Sequence, residues 1–299
     1  MSLRFVGLKP NSLKSYKSAL SHFFEWMEQE HLPMPSSSAR LDENVASFLN
    51  HLWLDDISIT YAGHTLSALR RFLPQLRFKL PVARQFFSNW KSVHVPQQAV
   101  PMPASVALAL AGVALAVDEE ELALRLLLGF TAFLRTGEIT SLTSSRIRVN
   151  VRSGQVILAL PATKTSKQKL ESVAVVDPLL AALADHVLSR CPGRFSGALT
   201  PNSFRAQLKL LLATLGLTHY NFSGYSLRRG GASHAFATGK HFDALLVMGR
   251  WQSVKTARQY LDSGRAAAFS AETLRTLDHF QEVATSFCRQ LRKRRTSQR

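Results

Sequence analysis

The stretch YSLRRGGASHAFATG, Tyr225 to Gly239, decides how this sequence is read. Its spacing is helical, and Tyr225 and Arg228, three apart, share a helix face. A glycine pair inside a helical pattern costs about 1–2 kcal/mol relative to alanine, so Gly230-Gly231 calls for a packing or functional reason. Three other segments stand around it. MGRWQSVKTARQYL (248–261) follows, with Trp251 and Tyr260 nine residues apart. TAFLRTGEI (131–139) comes earlier and sets Arg135 and Glu138 one turn apart after a strongly apolar helix. Between them, PATKTSKQKL (161–170) puts Lys164, Lys167 and Lys169 in a loop joining two strand-like runs. Taken singly, each has an ordinary explanation: an ion-paired arginine, an exposed lysine-rich turn, a core Trp and Tyr.

Around these segments the period changes twice. Helices are expected over about 104–116 and 119–134. Short β-branched runs follow at Arg146–Val151, Gln155–Leu160 and Ser172–Val176, with Ser153-Gly154 placed for a hairpin turn. After Asp177-Pro178 the helical period returns and holds to the end. A final amphipathic helix is expected within Ala271–Leu291, followed by the basic cluster RQLRKRRTSQR.

Upstream, VPQQAVPMP (Val95–Pro103) has three prolines in nine residues and reads as a connector. The chain therefore divides into residues 1–95, a linker at 96–103, and residues 104–299. Four helices are expected in the first part. Asn11 or Ser12 would cap one with Leu13, Tyr16, Leu20, Phe23, Phe24 and Met27 inward. Asp42 would cap a second, a third would start near Thr60, and a short fourth would turn Phe86, Trp90 and Val93 inward.

Composition sets the partner class. The 299 residues carry 37 Lys plus Arg against 20 Asp plus Glu, a formal +17, with 46% hydrophobic residues. Residues 1–103 hold 11 bases and 7 acids, leaving 26 and 13 for 104–299. That excess favours an anionic partner, nucleic acid first. Two cysteines, Cys191 and Cys288, exclude a disulfide framework and suggest a reducing compartment. The longest nearly uncharged apolar run, Val106–Val117, is too short to span a bilayer. With no signal-like N-terminus, a soluble intracellular protein is expected.

Together and in this order, LRTGE, TKT, SLRRGGASH and GRW followed by Tyr260 resemble the tyrosine recombinase (phage integrase) family, with touches of its eukaryotic crypton- and DIRS-type mobile-element members. The resemblance implies a mainly α fold: an N-terminal helical core-binding (SAM-like) bundle and a mostly helical catalytic domain with a small antiparallel sheet. It implies a site-specific enzyme that cuts and rejoins double-stranded DNA through a 3′-phosphotyrosine, with no metal, ATP or other cofactor. Arg135 and Arg228 match the phosphate-clamping arginines, Glu138 the acid that supports the first of them, Trp251 a position usually His, and Tyr260 the nucleophile. Lys164 best fits the general-acid lysine, with Lys167 the fallback. Tyr225 stands where the family usually has histidine. Lys14, Lys17, Arg70, Arg71, Lys167, Arg205, Lys209, Arg229 and Arg258 become expected DNA contacts. Self-association into a tetramer on paired sites is implied, with the tail helix docking on a neighbour or on its own domain, and a nuclear location if the host is eukaryotic. Two other readings stay open: a recombinase-derived DNA-binding protein without chemistry, and a type IB topoisomerase.

Overall fold

Two units, Met1–Gln97 and Gln98–Arg299, each enclose their own apolar core. The structure, a computed structural model, describes residues 7–76, 79–95, 98–161, 171–190, 199–261 and 274–296, with side chains of the last stretch over 277–291.

In the first unit, α1 (Pro10–Gln29), α2 (Ser38–Leu54), α3 (Ile59–Phe72) and α4 (Pro81–Val93) are the helices longer than one turn among the described residues. Proline opens α1 and α4, where its missing N–H would have had no partner. The start of α1 after Lys9 replaces the expected cap at Asn11 or Ser12. Ser37 and Ser58 cap α2 and α3, accepting from the amides of Arg40 and Thr60. Phe23, Trp26 and Met27 of α1 meet Phe48, Leu49 and Leu52 of α2 and Leu66 and Leu69 of α3. Phe24, about 100° further round α1 than Phe23, misses that stripe and is 42% exposed.

Two expectations fail here for physical reasons. Asp42 does not cap α2. It is buried in the second turn, and its two oxygens accept from the amides of Val82 and Ala83, both at 2.9 Å. It thus caps α4, whose preceding residue, Leu80, has no side-chain acceptor to offer. On α4 itself, Phe86 and Val93 face outward, and with Trp53 and Trp90 they line a groove of about 270 Å³.

The second unit begins with Pro101, Met102 and Pro103, which are buried rather than part of a free linker. Helices α5 (Ala104–Ala116), α6 (Glu120–Thr131) and the short α7 (Thr136–Ser141) lead into a sheet of β1 (Ile147–Asn150), β2 (Gln155–Leu160) and β3 (Glu171–Val176). The strands are antiparallel in the order β1-β2-β3, with Ile147 opposite Leu158 and Leu160 opposite Glu171. Alternation turns Val156, Leu158 and Leu160 inward with Val173 and Val175. Then come α8 (Pro178–Arg190), α9 (Pro201–Thr214), α10 (Gly224–Ala237), α11 (Phe242–Gly249), α12 (Val254–Arg258) and α13 (Leu274–Thr296).

Close backbone contact explains the glycine pair. A Cβ at Gly230 would strike the carbonyl of Met102, and one at Gly231 the carbonyl of Phe130. The Met102 amide also donates to the Ser226 carbonyl at 3.0 Å, pinning the entry strand to α10. Helix α5, apolar on all sides, is covered by α6 and by α13, which also packs on α8. The tail helix therefore lies on its own unit. A Cβ at Gly112 would collide with the Phe280 carbonyl, so glycine sets the α5–α13 distance. Among the described residues, no helix is long and apolar enough to cross a membrane.

Candidate active site

Four separate segments of the second unit bring the motif residues to one place. After α6 the chain bends through Phe133, in the left-handed region at φ 49°, and Arg135 then caps α7. Helix α10 carries Tyr225 in its first turn and Arg228 one turn later. Helix α11 ends at Arg250, a second left-handed residue at φ 54°, which delivers Trp251. Such residues cost roughly 1–2 kcal/mol each, so both bends must be held by their surroundings. Ser233 Oγ donates to the Tyr260 carbonyl at 3.1 Å, seating the segment after α12 on α10.

The aromatic rings and Arg228 form one packed group. The Trp251 and Tyr260 centroids are 4.8 Å apart, those of Tyr225 and Tyr260 5.6 Å. The Arg228 guanidinium carbon lies 5.0 Å from the Tyr260 ring and 5.2 Å from the Trp251 ring. Arg228 is fully buried. It donates to the carbonyls of Phe133 and, at 2.6 Å, Gly249, so it is held at one edge rather than offered as a free fork. Its Nε–H and the Trp251 Nε1–H are both buried without a hydrogen-bonded acceptor. Buried donors of this kind are costly unless something fills the place before them.

Glu138 is 2% exposed and is shared. Oε1 accepts from Arg135 Nη1 at 2.7 Å, while Oε2 accepts from the Arg135 amide at 2.8 Å and Arg250 Nη2 at 2.7 Å. Glu171, the first residue of β3, lies 3.7 Å from Arg250 Nε. Three arginines thus face two carboxylates, and one positive charge is left over. Burial, followed by the charges of Arg135 and Arg250, pulls Arg228 down to about 10, where it still carries its charge at neutral pH.

The two tyrosines shift in opposite directions. Burial, then the hydrogen bond to Tyr260 and its charge, push the Tyr225 hydroxyl up to about 12. Burial also raises Tyr260, but the hydrogen bond from Tyr225 and then the charge of Arg228 outweigh it. The Tyr260 hydroxyl ends below the usual tyrosine range, as the acceptor of the pair.

Of the residues singled out by sequence, Arg135, Glu138, Tyr225, Arg228, Trp251 and Tyr260 come together. Lys164 and Lys167 lie outside the described residues, as do Cys191 and the side chains beyond Leu291. Arg229, expected among the DNA contacts, is buried instead: it is 3% exposed, and its Nη1 donates to Gln98 Oε1 at 2.6 Å. Lys14, Lys17, Arg70, Arg71, Arg205, Lys209 and Arg258 are exposed. Sequence reasoning passed over Arg250, although it quoted the GRW motif that holds it. Among the described residues, no group of three His, Cys, Asp or Glu is placed to hold a metal ion.

No protein-family model matches the chain, and no curated protein does. Solved structures do match. The Tn1549 transposon integrase in complex with transposon right end DNA superposes with a TM-score of 0.62 at 10% identity, covering 90% of this chain and 95% of that one. A lambda integrase dimer bound to a COC′ core site gives 0.59 at 14%, covering 87% and 91%. The XerH site-specific recombinase bound to a palindromic difH substrate gives 0.60 at 12%, covering 90% and 78%. The chain has the tyrosine recombinase fold. It is mainly α, with the three-stranded antiparallel sheet that the sequence led us to expect.

Proposed function

We propose that this protein is a tyrosine-type site-specific DNA recombinase. The observation that carries the reading is the buried surplus cation beside Tyr260, with the Nε–H of Arg228 and the Nε1–H of Trp251 lacking acceptors. One phosphodiester carries one negative charge and the oxygens such donors need. The exposed bases of α1, α3 and α9 then serve as phosphate contacts along a duplex.

In the reaction, the Tyr260 oxygen attacks the phosphorus and loses its proton to water. Tyr225, which stays protonated at neutral pH, holds that oxygen by hydrogen bond rather than taking the proton. Arg135, Arg228 and Trp251 stabilise the charge that builds on the non-bridging oxygens. The bond to the 5′-oxygen breaks, and Lys164, or Lys167 if the loop register differs, protonates it. A 3′-phosphotyrosine and a free 5′-hydroxyl result, and the stored bond allows religation without ATP. Pairing of two sites in an assembly of four copies completes the strand exchange.

The test is a covalent trap. Parent and Tyr260→Phe are incubated in EDTA without ATP on a nicked duplex library and on DNA flanking the encoding locus, then denatured in SDS. An SDS-stable adduct is expected from the parent alone, while the variant binds DNA equally well. An adduct formed by the variant would reject Tyr260. Salt-sensitive binding without any adduct on either substrate would favour a DNA-binding protein that lacks the chemistry. Adducts without site preference would favour a topoisomerase.

A further inference from the structure

Arg250 meets four segments of the site. Nη2 donates to Glu138 on α7 at 2.7 Å and to the Phe133 carbonyl at 3.2 Å. Nη1 donates to the Met248 carbonyl at 3.1 Å and reaches that of Ala132 at 3.5 Å. Nε faces Glu171 at the start of β3. The side chain is only 5% exposed, so it cannot touch DNA without abandoning these partners. Its backbone makes the left-handed bend that sends Trp251 into the site. Glycine or asparagine would make that bend with less strain, so arginine is held there by what its side chain does.

The segment after the bend needs such a tie. Trp251, Ala257 and Tyr260 belong to a small cluster with Phe133, Ala232 and Leu245, apart from the main core of the unit. Helix α12 is five residues long and cannot hold itself.

We infer that Arg250 is a positioning residue: its guanidinium fastens the Trp251–Tyr260 segment to the Phe133 carbonyl and the Arg135–Glu138 turn, with a looser charge contact to the first residue of β3, and so fixes the distance between nucleophile and phosphate clamp. The inference rests on the reading of Tyr260 and Arg135 given above. A planar fork with five donors suits the task, because a carboxylate and several carbonyls are served at once. Lysine keeps the charge but not the fork.

Arg250→Met, Arg250→Lys and Glu138→Gln test it by hydrogen exchange and by single-turnover adduct formation. In Arg250→Met, peptides covering 249–261 and 132–139 should exchange about tenfold faster than in the parent while the rest of the chain is unchanged. On bound nicked DNA its adduct should form about a hundredfold more slowly, with affinity within about threefold of the parent. Millimolar methylguanidinium should restore part of the rate, which a misfolded unit would not permit. Combining Arg250→Met with Glu138→Gln should cost less than the sum of the two single changes, since both cut the Arg250–Glu138 link. Parent-like exchange in 249–261 overturns the inference. So does a lost DNA affinity with an unchanged rate once bound, which would make Arg250 a DNA contact. If Arg250→Met does not fold, Arg250→Lys decides, and parent-like exchange and rate in that variant overturn the proposal. A parent that forms no adduct refutes the recombinase reading, yet the exchange comparison still decides whether Arg250 holds the segment.

Discussion

At the scale of single residues, the pairing of Tyr225 with Tyr260 sets a pH dependence. In the proposed reaction the attacking Tyr260 oxygen must lose its proton, and a lowered Tyr260 hydroxyl gives that proton up more readily at any given pH. Adduct formation by the parent should therefore rise with pH and level off below about pH 10. Tyr225→Phe removes the strongest of the influences that lower Tyr260. The levelling-off should move upward, and the rate at neutral pH should fall about tenfold for each unit of that move. Single-turnover rates across the range check this, and an unmoved inflection in Tyr225→Phe would rule the hydrogen bond out as the cause. The spacing of Tyr225 and Arg228 was enough to put them on one helix face, but the other site residues, Trp251 and Tyr260 among them, stood out only through the order of motifs that resembles the recombinase family. Arg250 was not legible in the same way. Its importance comes from a left-handed bend and from partners more than 100 residues earlier in the chain, Glu138 among them. Nor was the burial of Arg229, since nothing in the adjacent Arg228-Arg229 pair tells which one turns toward Gln98.

At the scale of elements, the strands were read almost to the residue, because alternation of Val156, Leu158 and Leu160 with outward neighbours is a period-two pattern that a helix would scatter. The helical period found α1 to α4 but could not say which apolar face is covered; Phe86 and Val93 lie on such a face of α4 and remain open. Asp42 was misassigned because the amides it serves are 40 residues away, while a local cap rule looks only three residues ahead. That long-range cap carries a prediction. Asp42→Ala leaves the buried Ala83 amide without its carboxylate acceptor and should lower the stability of the first unit by about 2 kcal/mol. Asp42→Asn, which keeps one acceptor oxygen, should cost less. Denaturant unfolding followed through Trp26, Trp53 and Trp90 measures both, and an unshifted midpoint in Asp42→Ala would mean the cap contributes nothing.

For the whole molecule, the seat of α13 is the feature that sequence left undecided between its own unit and a neighbour. Alanine for glycine inside a helix ordinarily gains about 1 kcal/mol. Gly112→Ala should do the reverse, because its Cβ meets the Phe280 backbone and α13 must back away. Cys288 on α13 reports the change. It is 4% exposed, and burial, aided by the Asp177 charge, pushes its thiol up to about 12. In a Cys191→Ser background, Cys288 should resist disulfide reagents and become reactive once Gly112→Ala is added. Equal reactivity in the two proteins would show that glycine does not set the docking.

The same contact has a consequence for how the protein is made. The first unit completes its contacts early, whereas one side of α5, made soon afterwards, waits for α13. At roughly 5–20 residues per second, that wait lasts on the order of ten to forty seconds of synthesis. Through that interval the ribosome carries a finished N-terminal bundle and, behind it, a helix with no polar face. A chain stalled before residue 274 would keep the α13-facing side of α5 uncovered, the kind of surface that chaperones acting on nascent chains bind.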